Sequence, residues 1–195
     1  MTRIPPDIWP RATRPAISAA VSIALSLLLA PPLAAHLMEH QHGSLNMVEQ
    51  RGYLVLSVPV SALSGVDDNR DRRVDDRELQ RHTTAIERQL RAGVRIIEGG
   101  KPVRLDGLLV NLSPDEQHRE GPATHLVMLA VAMFDSAPRN PVIDVRLFGR
   151  LPAERRYRFT ATRRQADGAN PNAITEQSKL TLTPTNPRQI LFAGT

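Results

Sequence analysis

The pattern of this chain predicts a mainly β fold: an antiparallel β-sandwich of about six to eight short strands, with one long α-helix over about 76–97 and a single Asp-rich loop in front of it. Short runs of alternating or β-branched residues recur between turn-forming clusters such as Ser113-Pro114-Asp115, Ala137 to Pro141 and Asp167 to Pro171. Only one segment has a sustained helical period, which leaves too few helices for a set of βαβ units. The 195 residues suffice for one ordinary domain and little more.

In chain order, Ser44 to Val48 and Tyr53 to Val60 flank Gln50-Arg51-Gly52 and read as two strands of a tight hairpin, with Leu54, Leu56, Val58 and Val60 on one face. The helix is read from about Asp76 to Ile97. Its apolar positions Leu79, Ile86, Leu90, Val94 and Ile97 are spaced by seven, four, four and three, a single stripe suited to packing on a sheet. Gly99-Gly100 closes it and Lys101-Pro102 leads onward. Further strands are expected at Val103 to Leu112, His125 to Phe134, Val142 to Phe148, Tyr157 to Thr162, Lys179 to Thr183 and Ile190 to Phe192.

The absence of cysteine excludes a disulfide framework, a thiolate metal site and a Cys nucleophile, so oxygen and imidazole are the ligands left for any metal. Arg3, Arg11 and Arg14 precede the 15-residue apolar run Ala16 to Ala30, and Leu33-Ala34-Ala35 follows Pro31-Pro32. That is the order of a Sec-type signal peptide over residues 1–35, with cleavage expected after Ala35 and a single domain over 36–195. The run falls short of the roughly 20 residues that span a bilayer, and no later stretch comes closer. The expected location is therefore periplasmic or secreted, without an integral membrane anchor after cleavage. Cleavage leaves 22 Lys and Arg against 19 Asp and Glu, a near balance that argues against a nucleic-acid partner.

Asp67 to Glu78 matches the 12-residue calcium loop, with Asp67, Asn69, Asp71, Asp75 and Glu78 at positions 1, 3, 5, 9 and 12 and the apolar Val74 at position 8. A hard cation of this size takes six to eight oxygens, and alternate side chains of a tightly wound loop point inward to supply them. Arg73 would add its backbone carbonyl, and Glu78 both carboxylate oxygens. Position 6, ordinarily glycine because the loop needs a positive φ there, is Arg72, at a strain of about 1 kcal/mol. Arg70, Arg72, Arg73 and Arg77 also offset six acidic residues to a loop charge of −2. Both features predict one weakly held Ca2+, with a dissociation constant of about 10⁻⁴ to 10⁻³ M. A metal-free reading stands beside it: Asp75 and Glu78 alone form a capping box at a helix start, although this leaves the oxygens at Asp67, Asn69 and Asp71 unexplained.

On Gln41 to Asn46, Leu56 to Leu63 and Gly65 to Asn69, the chain resembles a group of uncharacterised bacterial exported EF-hand domain proteins. More distantly it resembles the extracytoplasmic N-terminal domain of hydrogenase/urease-accessory membrane proteins, in which a strand ending in a similar segment enters an Asp-rich loop and a helix follows. The resemblance covers about the first half of the expected mature chain. It implies a small exported calcium-binding module; the sequence does not identify its protein partner, a membrane protein of the same locus being one candidate. The family pattern has Gly where Arg72 stands, a departure that bears on affinity more than on fold.

A second expectation concerns His36, His40 and His42, which with a freed amino group would suit Cu2+ or Ni2+; an N-terminal arm with incidental histidines is the plainer alternative. His82 is read as a helix-to-sheet boundary residue, while His118 and His125 have no evident partner. No Gly-x-Ser-x-Gly element or Gly-rich phosphate loop is present, and the clustered carboxylates are better used as ligands, so no enzyme is expected. Arg155, Arg156, Arg158, Arg163 and Arg164 alternate with Tyr157 and Phe159, giving either a solvated charged face or a surface for an acidic partner or anionic lipid.

Overall fold

Alternation starts the sheet where the pattern predicts it. The structure, a computed structural model, describes residues 41–113, 122–164 and 174–192; the expected leader, His36, His40 and His118 lie outside the described residues. Strand β1 (His42–Val48) and β2 (Arg51–Pro59) form an antiparallel hairpin whose turn is Glu49-Gln50, one position earlier than the pattern suggests, with Glu49 at φ 53°. Leu54, Leu56 and Val58 are buried as expected, and Val60 is buried too, though it lies in a 3-10 turn (Val60–Ala62) beyond the strand.

Helix α1 (Asp76–Gly93) buries Ile86 and Leu90, with Leu79 packed at the edge of the core. It stops four residues before the expected end. Val94, Arg95, Ile96 and Ile97 become strand β3 (Val94–Glu98), because a run with three β-branched residues of four loses side-chain freedom in a helix and gains a pairing partner as a strand. That partner is β7 (Val142–Val145), with Val94 opposite Val145 and Ile96 opposite Ile143. Gly93 marks the change, since a Cβ there would lie 2.5 Å from Leu147 Cγ. Gly99 and Gly100, at φ 57° and 80°, therefore do not end a helix; they turn β3 into β4 (Lys101–Pro102), as a two-residue hairpin requires.

The remaining strands are β5 (Arg104–Ser113), β6 (His125–Met133), β8 (Tyr157–Arg164), β9 (Ile174–Leu182) and β10 (Arg188–Ile190), with a second 3-10 turn at Pro152–Arg155. One sheet runs β5-β6-β2-β1-β8-β9 and the other β10-β7-β3-β4. The pairing is antiparallel as expected except between β1 and β8, which run parallel. Leu45, Met47, Leu54, Leu56, Met128 and Phe159 of the larger sheet share one core with Ile86 and Leu90 of α1 and with Ile96, Ile143 and Val145 of the smaller sheet. Among the described residues, the architecture is a mainly β sandwich with one α-helix.

Two polar groups are locked into this frame. Tyr157 is fully buried, and its hydroxyl donates to the Leu147 carbonyl at 2.7 Å. Asp144 on β7 is 1% exposed and accepts from Arg95 Nη2 at 2.7 Å and Arg146 Nε at 3.2 Å. Burial acts to raise its pKa, but the hydrogen bonds from Arg146 and Arg95 outweigh burial and hold the carboxyl below its ordinary value. A depressed folded-state pKa contributes stability that is present above the ordinary carboxylate range and is lost as pH falls through the folded value. Both arginines reach solvent, so Asp144→Asn is expected to cost a modest amount, about 1 to 2 kcal/mol at pH 7. The same variant should lose less stability than the parent between about pH 4 and the acid-unfolding limit, as read by urea unfolding across that range.

Candidate calcium loop

The loop Asp67 to Glu78 is suspended between β2 and α1 by apolar pegs. Leu63 and Val66 before it and Val74 within it are buried, while the intervening polar residues stay at the surface. Gln89 of α1 clamps the approach, accepting from the Ser64 amide at 2.8 Å and donating to the Ser64 carbonyl at 3.0 Å. Val74 forms a reciprocal backbone bridge with Ala123, both hydrogen bonds at 2.9 Å, so position 8 is tied to the segment that enters β6. Arg73 reinforces this tie by donating from Nη1 to the Pro122 carbonyl at 3.1 Å.

Inside the loop, side-chain oxygens and backbone amides wind around each other. Asp67 accepts from the amides of Asp71 and Arg72 at 3.2 and 2.8 Å, Asn69 Oδ1 from the Asp71 amide at 2.9 Å, and Asp71 from the Arg73 amide at 2.8 Å. Arg70 and Arg72 carry φ of 62° and 67°, so position 6 adopts the left-handed conformation that the loop requires even without glycine, and position 4 does so as well. Two non-glycine residues in that region store strain of about 1 to 2 kcal/mol each.

Asp75 and Glu78 form the capping box on α1: Asp75 Oδ1 accepts from the Glu78 amide at 2.8 Å and Glu78 Oε2 from the Asp75 amide at 3.1 Å. Glu78 also reaches across the loop, its Oε1 accepting from the Asp68 amide at 2.9 Å, and is buried. It thereby joins the first and last turns of the loop. Asp75 and Glu78 cap the helix, as the metal-free reading expects, and Asp67, Asn69 and Asp71 wind the loop by accepting from backbone amides. Among the described residues, no three His, Asp or Glu side chains stand grouped as a metal cage. The loop carboxylates are turned onto backbone amides.

Asp68 and His82 enter in a way the sequence did not indicate. His82 is half-buried on α1, and its Nε2 meets Asp68 Oδ1 at 2.8 Å, while Arg81 pairs with Asp68 Oδ2. The hydrogen bond from His82 leads in holding the Asp68 carboxyl below its usual range; burial opposes it, and Arg81 adds to the lowering. Loop position 2 is thus fastened to the second turn of α1. His42 is the half-buried first residue of β1, with Nδ1 enclosed and lacking a hydrogen-bond partner, so it belongs to the sheet and not to an arm. His125 is buried, with Nε2 3.3 Å from Gln41 Nε2 and Nδ1 3.1 Å from Thr124 Oγ1.

Just upstream of the loop, Ser61 donates to Glu154 at 2.5 Å and accepts from the Arg150 amide at 3.0 Å, which moors the end of β2 to the turn before β8. The partners are 93 residues apart, and neither carries a local signal of the contact. No protein-family model matches the chain, and no curated protein matches it.

Proposed function

We propose that this chain is an exported calcium-binding module without catalytic activity, and that Asp67 to Glu78 is its metal loop. The observation that carries the reading is the winding of the loop: oxygens at alternate positions, left-handed φ at Arg70 and Arg72, and Glu78 closing the last turn onto the first. The donor set suits a hard cation, with Asp67, Asn69, Asp71, Asp75 and Glu78 contributing side-chain oxygens and Arg73 its carbonyl. The ion would draw the loop carboxylates together and brace the exit of β2 against the start of α1. Strain at Arg70 and Arg72, together with the engagement of Glu78 by two amides, favours weak binding of about 10⁻⁴ to 10⁻³ M. A binding module of this kind acts by presenting a surface, in keeping with a membrane protein as its partner.

The test is a thermal melt after chelation, repeated with about 5 mM calcium, for which a dissociation constant near 10⁻³ M adds about 1 kcal/mol. For a domain of this size the midpoint should rise by about 2 to 4 °C. The paired substitution Asp67→Ala and Asp71→Ala should abolish the rise, because it removes two side-chain ligands while leaving the capping box intact. An unchanged midpoint in the parent protein would overturn the reading and leave the loop as a metal-free brace.

A further inference from the structure

Strand β6 is apolar on both of its faces. From Leu126 to Phe134 the chain carries no polar side chain, a run that ordinarily belongs to strands covered on both sides. Leu126, Met128, Ala130 and Ala132 are buried in the core, whereas the alternate positions, Leu129 and Val131 at their centre, point the other way, are half-buried and take no part in that core. Cross-strand pairing carries this outer patch over the neighbouring strands. Leu109 of β5 lies opposite Leu129, which lies opposite Val55 of β2, and Val131 lies opposite Tyr53. Leu109 is 61% exposed and Tyr53 44%, and α1 and the smaller sheet pack on the opposite side, so the patch stands open.

The rest of the expected mature chain lacks the residues to cover it. Residues 36–40, 114–121, 165–173 and 193–195 contain only two large aliphatic side chains, Leu37 and Met38, and the apolar run Ala16 to Ala30 belongs to the expected leader. The cover therefore comes from another molecule.

Charge and area indicate which molecule fits. At outward positions of β5, β6, β2 and β1 the only carboxylate and guanidinium groups are Arg51, Arg104 and Asp106, and Arg104 pairs with Asp106 at 2.8 Å. On the same side, β8 and β9 carry the basic residues Arg158, Arg164 and Lys179. One half of this sheet face is thus apolar and the other basic. A two-fold axis parallel to the strands, between β6 and β2, lays the apolar half on itself. It sets β6 on β2 and β5 on β1 of the second copy, with Leu129 over Val55, Val131 over Tyr53, and Met133 instead of a like charge over Arg51. The basic strands then project past the β5 edge of the other copy into solvent. Four strands of about nine residues present a face of about 19 by 30 Å. Two such faces bury about 1,100 Å², which reaches the lower bound for a specific interface.

We infer that this face pairs two copies of the chain, sheet on sheet, in a weak two-fold dimer. The packing is that of a β-sandwich formed between chains. It does not use the Asp67 to Glu78 loop and does not depend on calcium.

Sedimentation equilibrium of the full chain isolated after export, across a range of concentrations and without calcium, tests this. The expected result is a mass that rises from one chain to two as concentration increases. Tyr53→Glu with Leu109→Glu should weaken the association by about tenfold or more and leave the circular dichroism of the fold unchanged, because both side chains are exposed. Tyr53→Ser alone, which introduces no charge, should weaken it in the same direction and serves if the double variant fails to fold. Leu151→Glu, exposed but outside this face, should associate as the parent does. A parent protein that stays monomeric throughout would overturn the proposal, including one that instead binds phospholipid vesicles through Tyr53 and Leu109. So would a dimer that the folded Tyr53 and Leu109 variants leave intact.

Discussion

Phe159→Ala is expected to lower the unfolding free energy by about 3 to 5 kcal/mol, the largest single effect anticipated in this protein. Phe159 is 1% exposed and lies opposite Gly43 in the parallel β1–β8 pair, where a Cβ on Gly43 would come within 2.5 Å of Phe159 Cδ2 and 2.8 Å of Leu56 Cδ1. The ring occupies space that the glycine vacates. Gly43→Val should therefore be destabilising in its own right, by about 1 to 3 kcal/mol, through overpacking. Combined, the two substitutions should cost less than the sum of the single effects, since the valine refills part of the cavity left by the ring. Urea unfolding of the four proteins in a double-mutant cycle measures this, and strict additivity would show that Gly43 and Phe159 are not a packing pair.

Glu78→Ala is expected to cost about 2 kcal/mol without any metal, and to remove the calcium response as well. Its carboxylate accepts from the amides of Asp68 and Asp75, so its loss uncaps α1 and releases the first turn of the loop. Glu78→Gln separates the two roles. The amide keeps one acceptor oxygen for one of the two backbone amides and sets an NH2 against the other, and it cannot clamp a cation with two charged oxygens, so apo stability should fall by about 1 to 2 kcal/mol, no more than in Glu78→Ala. Melts of both variants with and without calcium distinguish them. A calcium-dependent rise that survives in Glu78→Gln would show that the ion is held without Glu78.

Much of the fold was legible because alternation and turn chemistry are local. The buried face Leu54, Leu56 and Val58 and the anchors Tyr157 and Phe159 could be read from a period of two. The end of α1 could not. Val94 and Ile97 continue the helical spacing from Leu90, and only the presence of β7 beside them makes a strand the better use of the same residues. The loop was legible by spacing, whereas the attachments that hold it were not: Ala123 on Val74, His82 and Arg81 on Asp68, and Gln89 on Ser64 depend on which segments fold back beside it.

What the sequence alone determined is the class of fold and the spacing of oxygens along the loop, because periodicity and residue type act over a few positions. What only the tertiary structure decided is partnership. The parallel seam of β1 and β8 and the mooring of Ser61 by Glu154 join residues more than 90 apart in the chain. Contacts at that separation follow from how the whole core excludes water, a property no local run of residues contains.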